Sequence, residues 1–189
     1  MKLYGSPNSP YARKTRILIK EKNLPVEFVL DDPWGDDGPL AARNPFNKVP
    51  VLEVGPDNYL FESIFIAQYL DNLDGQPLQP PDTEGYWRAQ WWQALGNGII
   101  DSLIARLLET RRPPDKQLPE KVVREEKRVH RAIDLAGQSF RGDQYLVGSA
   151  FTMADLVMGV ALQYVDFRDR KSTRLNSSHM SESRMPSSA

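Results

Sequence analysis

Cysteine is absent from the 189 residues of this chain. Its absence excludes disulfide bonds, thiolate ligands for a metal ion and any redox reaction that uses a thiol of the protein itself. Long apolar runs are missing as well, because even the stretch DLVMGVALQYV falls well short of the ~20 residues needed to cross a bilayer. We therefore predict a protein with no thiolate metal site and no membrane-spanning segment, and we expect no metal cofactor.

A large excess of charge of one sign is also missing. Lysine and arginine together number 24, aspartate and glutamate 25, and the formal net charge is −1. Because the basic residues are interleaved with acidic ones, the sequence does not favour a nucleic-acid groove, and the expected partner is a small molecule. The start, MKLYGS, has neither a basic leader nor an apolar signal region, so we expect a cytoplasmic location.

The first 73 residues have the pattern of a small α/β domain. KLYG and VEFVL read as strands on either side of a helix over residues 10–22, an order that predicts a right-handed parallel crossover. Two further apolar runs joined by GPDN read as a hairpin, and residues 62–72 follow as a helix. The order β-α-β, hairpin, α predicts a thioredoxin-like domain over residues 1–73.

The remainder of the chain is predicted to be helical. Residues 74–83, which include DGQPLQPPD, form a proline-rich linker, and residues 84–168 form an all-α domain. Helices are expected over residues 83–111 and 119–140, each with apolar residues at helical spacing, as for Trp87, Trp91, Leu95 and Ile99.

A third helix has an explicit start signal. Thr152 can cap it, and Asp155, three residues later, can reach back to the cap N–H. The predicted fold class is thus α/β plus all-α, a thioredoxin-like domain followed by a helical bundle.

The last segment, residues 169–189, breaks this pattern. It is rich in serine, has almost no apolar residues and shows no periodicity, so we expect it to be disordered. The string RKSTRLNSSH also resembles the translated read-through of a cloning junction. The expectation is a non-native tail behind a helical domain whose own C-terminal end is missing, and the alternative is a natural flexible tail.

Three short motifs, SPYARKTRI, NPFNKVPVL and FES, occur in this order along the first domain. With the linker and the helices that follow, they resemble a glutathione S-transferase of the bacterial, serine-type lineages, over residues 1–168. The resemblance implies that glutathione is the co-substrate, that a small electrophile is the second substrate, and that the protein is a detoxifying homodimer. Family members normally continue through further helices after VDFR, and this chain does not.

The first motif raises the question of what Ser9 does. Pro10 suits the first position of a helix, so Ser9 lies at the cap, beside free N–H groups and the positive end of the helix dipole. That environment favours an anion such as a thiolate. By resemblance Ser9 is the catalytic residue that acts on the glutathione sulfur. The alternatives are that Ser9 is only a helix cap, or that Ser6 or Asn8 is the donor.

The other two motifs carry the predicted binding residues. By resemblance, Pro50 follows a cis peptide bond, the Val49 backbone pairs with glutathione as an added strand, and Lys48 meets the glycyl carboxylate. Glu62 and Ser63 open a helix directly after a strand. Ser63 and the helix N–H groups suit the γ-glutamyl carboxylate, and Glu62 suits the ammonium of the same group.

Two other functions remain open from the sequence. A glutathione-dependent isomerase or dehalogenase would use the same glutathione site with a different second pocket. A non-catalytic scaffold of the same family would keep the fold, bind a protein partner and lose the ligand. Glutathione binding separates the enzymes from the scaffold.

Overall fold

The structure is a computed structural model that describes residues 1–34 and 38–182, with side chains described as far as Arg168. It contains two compact units. The first comprises Met1–Gln93 and Gly142–Val160, and the second comprises Ala94–Arg141 and the residues from Ala161 on. These units divide the chain at other places than the predicted domains do, and the predicted domain bounds stay a prediction.

The predicted order of elements in the first domain is confirmed. Along the chain these elements are β1 (Lys2–Gly5), α1 (Pro10–Glu21), β2 (Glu27–Leu30), α2 (Pro39–Arg43), β3 (Val51–Gly55), β4 (Asn58–Phe61) and α3 (Ser63–Asp71). The short helix α2 was not predicted, since five residues are too few to show a helical period. The remaining helices are α4 (Thr83–Thr110), a 3₁₀ turn (Pro114–Lys116), α5 (Pro119–Ser139) and α6 (Met153–Glu182).

The four strands form one mixed sheet in the order β2-β1-β3-β4. β1 and β2 are parallel, as the strand–helix–strand pattern predicted, and β3 runs antiparallel to both β1 and β4. Tyr4 of β1 lies opposite Val51, and Val51 lies opposite Phe61 of β4. Hence the C-terminal ends of β1 and β4 and the N-terminal end of β3 share one end of the sheet.

Both faces of this sheet are covered. On one face α1 packs against α3, and Leu3, Leu18 and Ile66 are completely buried. Gly5 allows α1 to come close, because a Cβ built on it would lie 3.0 Å from the Cβ of Ala12. The other face carries an apolar cluster of Tyr4, Leu40, Val49 and Val51. Val29 of β2 and Tyr59 and Phe61 of β4 pack against it, so that α2 and all four strands contribute.

Lys22 ties the end of α1 to the end of α3 and to the linker. Its side chain is 3% exposed, and its ammonium donates to the backbone oxygens of Asp71 and Gln76, each at 2.7 Å. It also forms ion pairs with the carboxylates of Asp71, at 3.2 Å, and Asp74, at 2.7 Å. The Asp71 carboxylate in turn accepts the N–H of Leu78. We call these residues the Lys22 cluster.

The second unit contains a buried carboxylate at the junction of α4 and α5. Glu109 is 1% exposed and accepts hydrogen bonds from the Leu118 N–H and the Lys121 ammonium, both at 2.9 Å. These bonds, led by the one from Lys121, hold the pKa of Glu109 below its ordinary value. Glu109 thereby fixes the connection that leads into α5.

α4 and α5 are confirmed as helices. The four residues at helical spacing in α4, Trp87, Trp91, Leu95 and Ile99, do not all lie on its buried face. Trp87 and Trp91 are exposed, whereas Trp92 and Ile99 are buried.

Within residues 1–34 and 38–182, no helix combines the length and the apolar composition that a membrane span requires.

The predicted start of α6 is confirmed. The Asp155 carboxylate accepts from the N–H and the hydroxyl of Thr152, and from the N–H of Leu146, all at 2.8 Å. The helix continues to Glu182, into a segment that was expected to be disordered. Between Gly159 and Pro186 the chain has neither glycine nor proline, which explains why the helix can extend. Residues 183–189 of the predicted tail lie outside the described part, and its non-native origin stays a prediction.

Candidate functional site

Ser9 lies at the N-cap of α1, directly after the turn that leaves β1. Its backbone is extended, its carbonyl accepts from the Arg13 N–H at 2.9 Å, and Pro10 occupies the first helical position. Its hydroxyl oxygen accepts from the Ala12 N–H at 3.3 Å. Since a hydroxyl has one hydrogen to donate, this bond leaves that hydrogen unused. Ser9 is therefore a helix cap, and capping does not exclude donation to a ligand.

The two rival donors lie in the same turn. The Ser6 carbonyl accepts the Ser9 N–H at 3.1 Å, which closes the turn. Ser6 is half-buried and Asn8 is exposed. Neither has the position of Ser9 at the start of α1, beside the unpaired N–H groups of the first turn.

Lys48, Val49 and Pro50 lead into β3. Lys48 is exposed, whereas Val49 and Pro50 are buried, and the Val49–Pro50 peptide bond is cis, as the resemblance implied. β3 begins only at Val51. In the part of the chain that the structure describes, no hydrogen bond uses the backbone N–H or C=O of Val49. An extended peptide beside Val49 could take up both groups.

Glu62 and Ser63 join β4 to α3, as predicted. The first helical bond runs from the Ile66 N–H to the Glu62 carbonyl at 2.9 Å, and no side chain caps the helix. The first N–H groups of α3 consequently have no partner within the helix. The Ser63 hydroxyl, on a residue 3% exposed, lies 3.5 Å from the exposed carboxylate of Glu62, the limit of a hydrogen bond. A carboxylate bound here would meet several donors.

The backbone of Glu62 adopts an unusual conformation. Its φ is +71°, in a region that residues with a side chain rarely adopt. Such a conformation costs about 1–3 kcal/mol and is found most often where a site requires it. The turn at Glu62 leads the chain from β4 directly into α3.

The sheet topology brings these three groups to the same end of the domain. Ser9 follows the C-terminal end of β1, Glu62 and Ser63 follow the C-terminal end of β4, and Val49 precedes the N-terminal end of β3. Because β3 is antiparallel to its two neighbours, these three strand ends are adjacent. Residues that are far apart in the sequence thus surround one small region.

Asn44, which the sequence analysis did not single out, lies just before these residues. It is 2% exposed and hydrogen-bonds both the Phe46 N–H and the Lys48 carbonyl. In the sequence, Asn44 is marked only by the proline that follows it, and an asparagine before proline indicates a turn without indicating a role for the side chain.

A second cluster lies on the α2 face of the sheet. The Tyr4 hydroxyl donates to Glu53, and the Arg43 guanidinium lies 4.0 Å from the Tyr4 ring centroid and pairs with Asp31 at 2.9 Å. The bond to Glu53 is the main cause of a raised pKa of Tyr4, and burial adds to it. This cluster joins β1, β3, α2 and the residue that follows β2. Across residues 1–34 and 38–182 no group of His, Asp or Glu is arranged to hold a metal ion.

Comparison with known proteins adds independent information. The model of the glutathione S-transferase N-terminal domain matches residues 3–78, and that of the C-terminal domain matches residues 86–179. The chain belongs to the glutathione S-transferase family. The fold class and the family predicted from the sequence are therefore confirmed.

Individual relatives agree with this assignment. An uncharacterized GST-like protein of Escherichia coli, YibF, is 31% identical over 89% of this chain and 83% of its own length. A glutathione S-transferase of Methylobacillus flagellatus, solved with GSH bound, is 32% identical with a TM-score of 0.84, over 90% of this chain and 85% of that one. A glutathione transferase family member of Pseudomonas fluorescens, solved with bound glutathione, is 27% identical with a TM-score of 0.75. The match covers 98% of this chain and 95% of that one.

Proposed function

We propose that this family member is a glutathione transferase, and that it binds glutathione at the end of the sheet where β1, β3 and β4 meet. The observation that carries the proposal is the placement of Ser9, Val49 and Ser63 at adjacent strand ends. Two solved relatives with glutathione bound support the choice of ligand. Glutathione acts as a co-substrate, since it is consumed in the reaction.

Each end of the tripeptide has a suitable group to bind it. The exposed ammonium of Lys48 binds the glycyl carboxylate, and the Val49 N–H and C=O pair with the cysteinyl backbone. The Ser63 hydroxyl and the first N–H groups of α3 bind the γ-glutamyl carboxylate, while the Glu62 carboxylate binds the neighbouring ammonium.

Ser9 supplies the chemical step. A free thiol has a pKa of about 8.5, so glutathione is mostly protonated at neutral pH, whereas the thiolate is the nucleophile. The Ser9 hydroxyl, which already accepts the Ala12 N–H, donates its hydrogen to the sulfur and stabilises the thiolate. The thiol proton leaves to solvent. The sulfur lone pair then forms a C–S bond to the electrophile, whose leaving group departs with the electrons of the broken bond, or whose double bond accepts them.

Substitution of Ser9 tests this role directly. In Ser9→Ala we expect the affinity for glutathione to stay close to that of wild type, because other residues bind the peptide. We expect the pKa of the bound thiol to rise, as measured from thiolate absorbance in the ultraviolet at saturating glutathione. Ser6→Ala is the matched control, since Ser6 lies in the same turn and should leave that pKa unchanged. An unaltered thiol pKa in Ser9→Ala would contradict the proposal.

The remaining features come from the family alone. We propose a cytoplasmic homodimer that conjugates glutathione to a small electrophile. Sedimentation equilibrium tests the dimer. Incubation with an activated aryl halide tests transfer: a transferase consumes glutathione and the halide one for one and releases halide ion, whereas an isomerase or a scaffold consumes neither. Calorimetric binding of glutathione then separates the isomerase, which binds it, from the scaffold, which does not.

A further inference from the structure

The side chain of Asn44 holds the short loop that carries Lys48 and Val49. Asn44 ends α2, where its N–H bonds to the Leu40 carbonyl at 2.8 Å, and its carbonyl accepts the Asn47 N–H at 2.9 Å. Its side-chain oxygen accepts the Phe46 N–H at 3.0 Å, and its amide nitrogen donates to the Lys48 carbonyl at 2.7 Å. Backbone and side chain of Asn44 together therefore fix residues 46 to 48.

Three neighbouring side chains of the loop face solvent. Pro45 and Lys48 are exposed, and Phe46 is 67% exposed and makes an edge contact with Phe61. Asn44 itself is 2% exposed. Since a buried amide must have its donor and acceptor satisfied, the loop conformation and the orientation of Asn44 determine each other.

Planarity of the peptide bond carries this restraint to Val49. The Lys48 carbonyl and the Val49 N–H belong to one planar unit, and in a trans peptide they point in opposite directions. By holding the Lys48 carbonyl, Asn44 directs the Val49 N–H away from itself. That N–H is one of the two Val49 groups without a partner in the described part of the chain.

We infer that Asn44 is a positioning residue that orients the Val49 N–H and Lys48 for the glycyl half of glutathione. The inference rests on the proposed function. Asparagine suits the role because it offers an acceptor and a donor on one short side chain. Aspartate keeps the acceptor for Phe46 but loses the donor to Lys48, and alanine loses both.

The test compares wild type, Asn44→Ala and Asn44→Asp. Calorimetry would measure the dissociation constants for glutathione and for glutathione esterified at its glycyl carboxylate. We expect both variants to bind glutathione about tenfold more weakly, as for the loss of one well-placed hydrogen bond. Their preference for glutathione over the ester should shrink, because Lys48 is no longer held in place. The pKa of the bound thiol at saturation should stay at its wild-type value, because Ser9 is untouched.

A matched control removes a similar hydrogen bond elsewhere. The exposed Asn72 donates its side-chain amide to the Gln68 carbonyl at 2.8 Å, at the end of α3. Asn72→Ala should leave both dissociation constants unchanged. A purely structural role for Asn44 would lower the melting temperature and the folded fraction, but the folded molecules would bind glutathione and the ester with wild-type constants.

The outcomes separate this inference from the proposed function. Folded wild type that fails to bind glutathione would overturn both. Wild type that binds, together with a folded Asn44 variant of wild-type affinity and wild-type preference, would overturn the inference alone. Failure of both variants to fold at low temperature would also overturn it, because Asn44 would then be needed for the fold and not for placing the ligand.

Discussion

Replacing Lys22 with methionine should destabilise the first unit strongly. The side chains of Lys22 and Asp71 are 3% and 2% exposed, so the substitution removes the cation from a buried ion pair and keeps most of its apolar volume. Two backbone oxygens, those of Asp71 and Gln76, also lose a donor at 2.7 Å. Leaving one partner of a buried pair uncompensated costs about 3–5 kcal/mol.

The structure favours the lower end of that range. The Asp71 carboxylate keeps the Leu78 N–H, which lies 2.9 and 3.1 Å from its two oxygens, and Asp74 is 37% exposed and can be solvated. We therefore expect a loss of about 3 kcal/mol in the free energy of unfolding. For a protein of this size that corresponds to a drop of roughly 6–12 °C in the melting temperature.

Thermal unfolding followed by circular dichroism would measure this difference. Lys20→Met is the matched control, because Lys20 lies in the last turn of α1, two residues before Lys22, and is exposed. It should change the melting temperature by no more than a degree or two, as for an exposed charge. If Lys22→Met and Lys20→Met had equal effects, the assignment of a structural role to the Lys22 cluster would be refuted.

Three further predictions concern binding and pH. Lys48→Ala and Ser63→Ala should each weaken glutathione binding by about 1–3 kcal/mol in calorimetry, as for a lost charged hydrogen bond, and unchanged affinity would count against the proposed site. The lowered pKa of Glu109 means that its stabilising contribution is present above its unfolded pKa and disappears as the pH falls through the folded value. Between about pH 5 and pH 3, Glu109→Gln should therefore lose less of its free energy of unfolding than wild type does, as measured by urea unfolding. An equal loss in the two proteins would disprove this. The pKa of Tyr4 is raised, so its contribution is present below its unfolded pKa and is lost as the pH rises through the folded value. Above about pH 10 the free energy of unfolding should fall less in Tyr4→Phe than in wild type. An equal fall in the two proteins would contradict the role of the Tyr4–Glu53 bond.

Local sequence patterns predicted most of the fold. The hairpin of β3 and β4 followed from two apolar runs around GPDN, and α1 followed from helical spacing after a capping serine and a proline. Signals of this kind lie within a few residues of each other, so a single sequence contains them. α2 was missed because its five residues span little more than one turn.

Contacts between distant residues could not be predicted in this way. Lys22 meets Asp71 across 49 residues, and nothing near either position indicates the pair. The positive φ of Glu62 likewise depends on how β4 and α3 are packed, since glutamate has no preference for that conformation. The binding residues themselves were named from the resemblance to a family, and their roles stay predictions.

Calorimetric titration of reduced glutathione into the folded protein tests the central claim most directly. Near-ultraviolet circular dichroism would first establish that the sample has fixed tertiary structure. We predict saturable binding of one glutathione per chain, with a clear loss of affinity in Lys48→Ala. Folded protein that releases no heat and binds no glutathione in equilibrium dialysis would contradict the account and leave Ser9 as the cap of α1 alone.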